Sequence, residues 1–384
     1  MFKNQIAIVD YDVVTAFGYG VKTLMSNLLQ GNSAVKKIKR FPTNNFLSQN
    51  GAECPGIYPN PNITNFMQLY YCLINEKKIR IPNASNIIIA TTTGEIELLE
   101  HSVISGNDNY QSASLSNLIP KLKDIFEISG NAEIISSACT SSSIAIAKAS
   151  YMIASGKSDS ILVTAADSLS EFVFSGFSSL MAISPTLARP FDKNRNGISI
   201  GEGAGYMLFM SKERAIKEGR TVLAEVLGWG SSSDAFHLTA PDEKGSGLIT
   251  AIKAVLHKAD VNFNDISAIS AHGTGTLFND AMEIAALTSL FHEHDVKKHI
   301  YGIKGACGHT MGFAGLLEAV AAVESLQKSS IPPTVNLLEA EDIIADVISN
   351  KPIEIEGRNN SILTLNSGFG GINSALLFAK RTQE

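Results

Sequence analysis

Four side chains in this 384-residue sequence, Cys139, His272, Lys304 and His309, are of types that form and break acyl bonds, and each sits in a similar local setting. Cys139 lies in SSACTSSSIAIAKA, where an apolar run at residues 132–135 gives way to helix-forming residues near Thr140. Unpaired backbone N–H groups and the positive end of a helix dipole favour thiolate there, so the spacing predicts a lowered thiol pKa and a nucleophile. A single cysteine beside a turn is ordinarily an inert packing residue. Three further segments argue against that. In AHGTGTLFNDAMEIAAL, His272 directly follows an apolar run, with Thr274 and Thr276 on the same Gly-rich turn. In YGIKGACGHTMGFAG, Lys304 and His309 flank another Gly-rich turn, and LNSGFGGIN forms a fourth, which can bring a backbone N–H close to a reacting carbonyl.

Short Ile- and Val-rich runs alternating with segments of helical spacing are needed to position these groups, and that alternation reads as α/β. Strands are expected at residues 6–9, 86–90, 132–135 and 160–165 in a first half, and at 222–227, 266–271, 299–302 and 361–365 in a second. The Ser-rich stretch GSSSDAFHLTAPD, residues 230–242, marks the boundary and gives halves of 1–229, carrying the cysteine, and 230–384, carrying His272, Lys304 and His309. EIISSACTSSSIAIAKA and AISAHGTGTLFNDAMEIAAL each read as strand, small-residue turn with one reactive side chain, then helix. That similarity hints at duplication, at a period too long for a solenoid.

Composition narrows the function classes. A hydrophobic content of 45% with 18% charged residues fits a globular chain, and the net charge of −6 argues against broad nucleic-acid binding. The N-terminus lacks a secretory pattern and no apolar run is long enough to span a bilayer. Four cysteines without CxxC spacing point to a reducing cytoplasm and to no structural zinc. GEGAG at Gly201 lacks the rest of a dinucleotide fingerprint and reads as close backbone packing. FHEHDVKKH reads as a polar helix end and loop, and no metal is expected.

Taken in order, these segments resemble the β-ketoacyl-acyl-carrier-protein synthases of the elongating type, within the thiolase superfamily. VVTAFG near Val13, RPFDKNRNGISIGEGAG and GSSSDAFHLTAPD carry the resemblance further, from about Ile6 to Phe378, with a weaker stretch at residues 43–83. The resemblance implies a thiolase-like fold of two duplicated halves, layered αβαβα. It implies that Cys139 takes an acyl chain from a carrier thioester, with the N–H groups of Cys139 and Phe369 as oxyanion hole. His272 and His309 then hold the malonyl thioester carbonyl as carbon dioxide leaves. Lys304 supports the network around His309, Glu318 organises it, and Thr274 and Thr276 contact the phosphopantetheine arm. No cofactor is implied beyond the phosphopantetheine of acyl carrier protein, which is the expected partner. A homodimer, or a heterodimer with a ketosynthase-like partner, is expected. A thiolase is disfavoured because the late turn holds no second cysteine. A non-decarboxylating acyltransferase and a chain-length-shaping partner subunit are the rival readings.

Several departures bear on substrate and partner. NSGFGGIN stands where the family has NSFGFGGTN, so that Phe369 matches the gating phenylalanine, Ser367 replaces a second aromatic and Ile372 a threonine. Cys307 stands where threonine is common and reads as a small packing residue. Leu277 and Phe278 replace a Pro-containing turn. The chain is short before Asn83, where the family places a carrier-docking segment; this suggests a specialised, secondary-metabolism synthase of polyene or polyketide type. Candidate docking residues are Lys36, Lys37, Lys39 and Arg40, with Lys77, Lys78 and Arg195.

Overall fold

β-branched side chains suit a pleated surface buried on both faces, and the Ile- and Val-rich runs become such strands. The computed structural model describes residues 4–75, 79–106, 110–355 and 360–380. Ten strands follow one hydrogen-bonded path: β1 (Ile6–Thr15), β2 (Asn86–Ala90), β3 (Ala132–Ile135), β4 (Ser160–Asp167), β5 (Gly203–Ser211), β6 (Ala224–Ser233), β7 (Ala268–Ser270), β8 (His299–Tyr301), β9 (Ser361–Gly368) and β10 (Ile372–Ala379). In space their order is β8-β7-β9-β10-β6-β1-β5-β4-β2-β3.

That order contains the duplication. In the first half β3, β2 and β4 are parallel, β5 is antiparallel to β4, and β1 is antiparallel to β5. In the second half β8, β7 and β9 are parallel, β10 is antiparallel to β9, and β6 is antiparallel to β10. The two five-strand units meet at β1 and β6 through the pairs Ala7↔Glu225 and Ile8↔Ala224. Two sequences of little mutual identity thus adopt one topology.

Between the units lie helices α1 (Ser141–Ala154) and α3 (Ala314–Lys328), with α2 (Leu277–His294) following β7. α1 and α3 touch each other and strands of both halves, which makes them the middle layer. Their composition fits the position, because most of their residues are apolar or small and lie buried. At the crossing there is no room for a side chain on Gly315, whose added Cβ would lie 2.8 Å from the Ser143 nitrogen. Ser142 Oγ accepts the Leu316 N–H at 2.8 Å beside it.

Two local readings change. β6 continues to Ser233, so residue 230 falls inside a strand rather than opening a loop. The glycine there is a packing requirement, since a Cβ on Gly230 would meet the Ala251 carbonyl oxygen at 2.2 Å. GEGAG is close backbone packing, as its sequence suggested, and it also enters strand β5, which the sequence reading had not placed. An added Cβ on Gly201 would meet the Cys307 oxygen at 2.3 Å, and one on Gly203 the Val14 oxygen at 2.5 Å.

Candidate active site

The reactive residues sit just beyond the C-terminal ends of the parallel strands, where open α/β sheets gather their ligands. β3 leads to Cys139, β7 to His272, β8 to Lys304 and His309, and β9 to Phe369. One nitrogen of each imidazole and the Cys139 sulfur lie within 4.8 Å of one another, all buried. The imidazole centroids are 5.4 Å apart, with the rings at 86°.

Cys139 occupies a braced elbow. Ala138 before it has φ 47°, a left-handed conformation that costs a residue with a Cβ about 1–2 kcal/mol. Hydrogen bonds hold it: Thr140 Oγ1 donates to Ser137 O at 2.7 Å, Ser141 Oγ to Ala138 O at 2.6 Å, and the Ser137 N–H to Ser141 Oγ at 2.8 Å. The thiol does not follow the expectation of a lowered pKa. Burial pushes it up to about 12, the Lys304 charge pulls against this, and Asp167 adds to the rise. A backbone hydrogen bond to Cys139 acts in the same direction as Lys304, and the two do not outweigh desolvation. The resting group is a thiol.

The imidazoles are neutral donors. Burial first, and then the Lys304 charge, push both pKa values well below the usual histidine range. Met311 N–H donates to His309 Nδ1 at 3.0 Å, and Lys304 Nζ lies 3.1 Å from His272 Nδ1. With each Nδ1 accepting, the proton of each ring resides on Nε2. That tautomer leaves no Nε2 lone pair, so it disfavours metal binding by this cluster.

Lys304 bonds His272 directly and acts on His309 through its charge alone, which is the electrostatic part of the role the sequence reading gave it. Its ammonium also donates to the His272 carbonyl oxygen at 2.5 Å and forms a salt bridge with Glu318 on α3. Glu318 in turn accepts from Asn366 Nδ2 at 2.5 Å. Geometry explains the choice: Lys304 opens the helical turn directly after β8, beside parallel β7, while His309 lies a further turn on.

The threonine loop is held from behind. Asp280 accepts Thr274 N–H at 3.0 Å and Gly275 N–H at 3.1 Å, and Glu283 accepts the N–H groups of His272 and Gly273 at 2.7 Å each. Thr274 Oγ1 and Thr276 Oγ1 are 2.8 Å apart. Both line a cavity of about 340 Å³ that also holds Cys139, His272, His309 and Phe369. Phe369 is 40% exposed, with its ring centroid 6.1 Å from that of Phe177 at the same cavity. Gly368 presses the turn against Cys139, since a Cβ there would lie 3.3 Å from the Cys139 nitrogen. Leu277 opens α2 without the proline common in this turn, and Leu277 and Phe278 form part of the exposed cavity rim. Cys307 is buried outside this cavity, as a packing residue would be.

Two of the expected docking residues are not on the surface. Arg40 forms a bidentate ion pair with fully buried Glu202, its own side chain being 5% exposed. Arg195 is equally buried, bonded to Glu341 and to the carbonyls of Asp192, Thr276 and Leu277. A guanidinium with five donors satisfies several buried acceptors at once, which is the task both perform here. Lys36, Lys37 and Lys39 are exposed, whereas Lys77 and Lys78 lie outside the described residues.

Sequence reading missed Asn366, Asp280 and Glu283. For the two acids a signal was present: carboxylates in the opening turns of a helix, after a Gly-rich loop, can reach back to that loop's N–H groups. Asn366 gave none, because its partner Glu318 is 48 residues away.

Thioester chemistry is what a buried thiol beside two N–H-donating imidazoles can perform, and on a doubled five-strand scaffold that defines a thiolase-like condensing enzyme. Residues 86–215 match the N-terminal domain of beta-ketoacyl synthase and residues 223–338 its C-terminal domain. The chain belongs to the β-ketoacyl synthase family. It is 28% identical to 3-oxoacyl-[acyl-carrier-protein] synthase 2 of Vibrio cholerae, over 99% of this chain and 100% of that one. To nodulation protein E of Rhizobium meliloti it is 38% identical, over 64% of this chain and 60% of the relative. Among solved structures, the ishigamide ketosynthase/chain length factor superposes with a TM-score of 0.87 at 28% identity, covering 99% of this chain and 100% of that one.

Proposed function

We propose that the chain is a β-ketoacyl-acyl-carrier-protein synthase that loads an acyl chain on Cys139 and extends it with malonyl on acyl carrier protein. The observation that carries this is the pair of imidazoles, each with Nδ1 held by an N–H donor and Nε2–H left for a substrate oxygen. Cys139 sulfur attacks the carbonyl carbon of the acyl thioester, the carrier sulfur departs, and the thiol proton leaves with it. The developing oxyanion is stabilised by the N–H groups of Cys139 and Phe369. In the second half-reaction the bond between the malonyl carboxylate and its α-carbon breaks, and carbon dioxide leaves. The electron pair forms an enolate whose oxygen accepts from His272 and His309. The enolate carbon attacks the acyl-Cys139 carbonyl, the carbon–sulfur bond breaks with its electron pair going to sulfur, which takes a proton from water, and the β-ketoacyl chain departs on the carrier. Thr274 and Thr276 hold the phosphopantetheine arm. The reaction calls for no metal or further cofactor.

Lys36, Lys37 and Lys39 are the remaining candidates for meeting an acidic carrier. A dimer forms along β3, the end strand of the path, whose four residues are only half-buried and which pairs with β2 on one side. The partner is a second copy or a ketosynthase-like chain, in fatty-acid or polyketide biosynthesis. Four free cysteines suit a reducing cytoplasm, and among the described residues no helix is long and apolar enough to cross a membrane.

Intact-mass analysis after incubation with an acyl-carrier thioester, followed by carbon dioxide release from malonyl carrier, tests the reading. A Cys139-dependent adduct and release abolished in His272→Ala and His309→Ala are expected. An adduct without release would favour a non-decarboxylating acyltransferase. Product formation by a complex containing Cys139→Ala would make the chain a pocket-shaping subunit.

A further inference from the structure

The first unit contributes a second strand end to the site, and the mechanism above leaves it unused. β4 ends at Asp167, a side chain with no solvent exposure, whose position matches that of Gly368 at the end of β9 in the second unit. Its carboxylate receives donors from two directions. Oδ1 accepts Thr91 Oγ1 at 2.7 Å, Thr92 N–H at 3.0 Å, Thr93 N–H at 3.2 Å and Thr93 Oγ1 at 3.2 Å. Oδ2 accepts Thr92 N–H at 3.0 Å and Gly312 N–H at 2.7 Å. Thr91 Oγ1 accepts the Gly94 N–H at 2.8 Å, so its own proton is free to go to the carboxylate.

Burial holds the Asp167 pKa above the usual carboxylate range, and these hydrogen bonds oppose the rise without cancelling it. Three amides and two hydroxyls converge on two oxygens, and a carboxyl proton would have to be placed among donors, so the anion is the form this cage accommodates.

Gly312 belongs to the short turn Met311–Phe313 that follows His309. Met311 in that turn has φ 55°, and its N–H is the group that donates to His309 Nδ1 at 3.0 Å. A left-handed methionine holds only where its surroundings fix it. Two contacts do so: the Gly312 N–H held by Asp167, and the Phe313 ring, against which the glycines of β5 leave no space, an added Cβ on Gly205 lying 2.9 Å from it.

We infer that Asp167 is a positioning residue for His309: by anchoring the Gly312 N–H it fixes the Met311 N–H on His309 Nδ1, and so keeps the His309 proton on Nε2 for the malonyl oxygen. The inference rests on the decarboxylating role given to His309 above. It assigns the first unit a part in malonyl activation as well as the nucleophile.

Asp167→Asn separates this role from simple support. An asparagine oxygen turned to the Thr92 and Thr93 amides leaves its NH₂ facing the Gly312 N–H, donor against donor. The same change removes a negative charge that raises the Cys139 pKa, so it should not slow thiol ionisation. Acyl transfer to Cys139 is therefore expected to stay within about threefold of the parent, while carbon dioxide release from malonyl carrier falls about tenfold or more. Combined with His309→Asn, it should add less than threefold, because both act through one imidazole. Equal loss in both half-reactions, decarboxylation within threefold of the parent, or fully multiplying losses in the double variant would each overturn the inference.

The parent protein offers a measurement that does not depend on the variant folding. The ¹⁵N shifts of labelled histidine should show His309 as the Nε2–H tautomer at neutral pH, and an Nδ1–H tautomer there would overturn the inference. A parent enzyme that neither acylates Cys139 nor releases carbon dioxide would instead count against the proposed function, whatever Asp167 does.

Discussion

Lys304 Nζ lies 3.1 Å from His272 Nδ1, so a buried ammonium, itself neutralised by Glu318, acts as the orienting partner of one of the two clustered imidazoles. The other imidazole, His309, is oriented by a backbone amide. Two donors of different kind therefore give both rings the same tautomer, and the two respond differently to mutation.

Removing only one member of the Lys304–Glu318 pair leaves a buried charge without its partner. Lys304→Met alone should lower stability by about 3–5 kcal/mol, and adding Glu318→Leu should recover most of it. Carbon dioxide release should fall in both, since the only donor left to His272 Nδ1 is Asn366 Nδ2 at 3.4 Å. Denaturant titration beside the decarboxylation assay checks this, and full activity in the double variant would contradict the role given to Lys304.

Histidine pKa values below the usual range predict a flat acid limb. Both imidazoles stay neutral when an exposed histidine would already be charged, so decarboxylation should hold its rate from about pH 8 to about pH 6. Stability should change instead. Below the unfolded-state pKa of about 6.5 the unfolded chain binds protons that the folded chain refuses, so stability falls as pH falls, by up to about 1.4 kcal/mol per unit per histidine. Urea titrations of the parent and of His272→Ala/His309→Ala across that range should show a shallower slope in the variant.

Alkylation of Cys139 reports the balance between burial and the helix terminus. With the thiol pushed up to about 12, the rate with iodoacetamide should climb with pH through the alkaline range without levelling. A plateau near neutrality would show that the helix terminus and Lys304 outweigh desolvation.

Basic residues near the N-terminus should divide into two classes. Arg40→Ala strands the buried Glu202 carboxylate and should cost about 3–5 kcal/mol of stability. Replacing the exposed Lys36, Lys37 and Lys39 by glutamate should leave the melting temperature nearly unchanged. It should raise KM for the carrier by about threefold to tenfold, an effect that fades with added salt. Loss of stability in the lysine variant, or none in Arg40→Ala, would reverse the assignment.

Local pattern made much of this legible. The strands at residues 86–90 and 132–135 and the turn at Cys139 are set by runs of Ile giving way to small residues. What escaped was determined at long range. Arg40 reads as one more basic residue in KKIKR until Glu202, 162 residues later, is seen beneath it. Arg195 likewise looked like a surface charge until Glu341 closed over it. The elevated Cys139 pKa is a property of the whole interior, whereas the helix start at Thr140 is visible in a dozen residues. Lys304 was placed with His309 because the two are near in sequence, yet pairing of β7 with β8 brings His272 closer.

The seam of two residue pairs, Ala7↔Glu225 and Ile8↔Ala224, has an evolutionary reading. Two copies of one five-strand unit, set back to back, offer twice the number of strand ends to a single chamber. Once that surplus existed, no single unit had to keep a complete set of tools. One copy could carry the electrophile and the other the imidazoles that face the carbanion equivalent, while each still braces its sibling, as the Asp167 contact to Gly312 does. Division of labour between siblings, more than invention of a new scaffold, is how a plain repeat could become a carbon–carbon bond-forming catalyst.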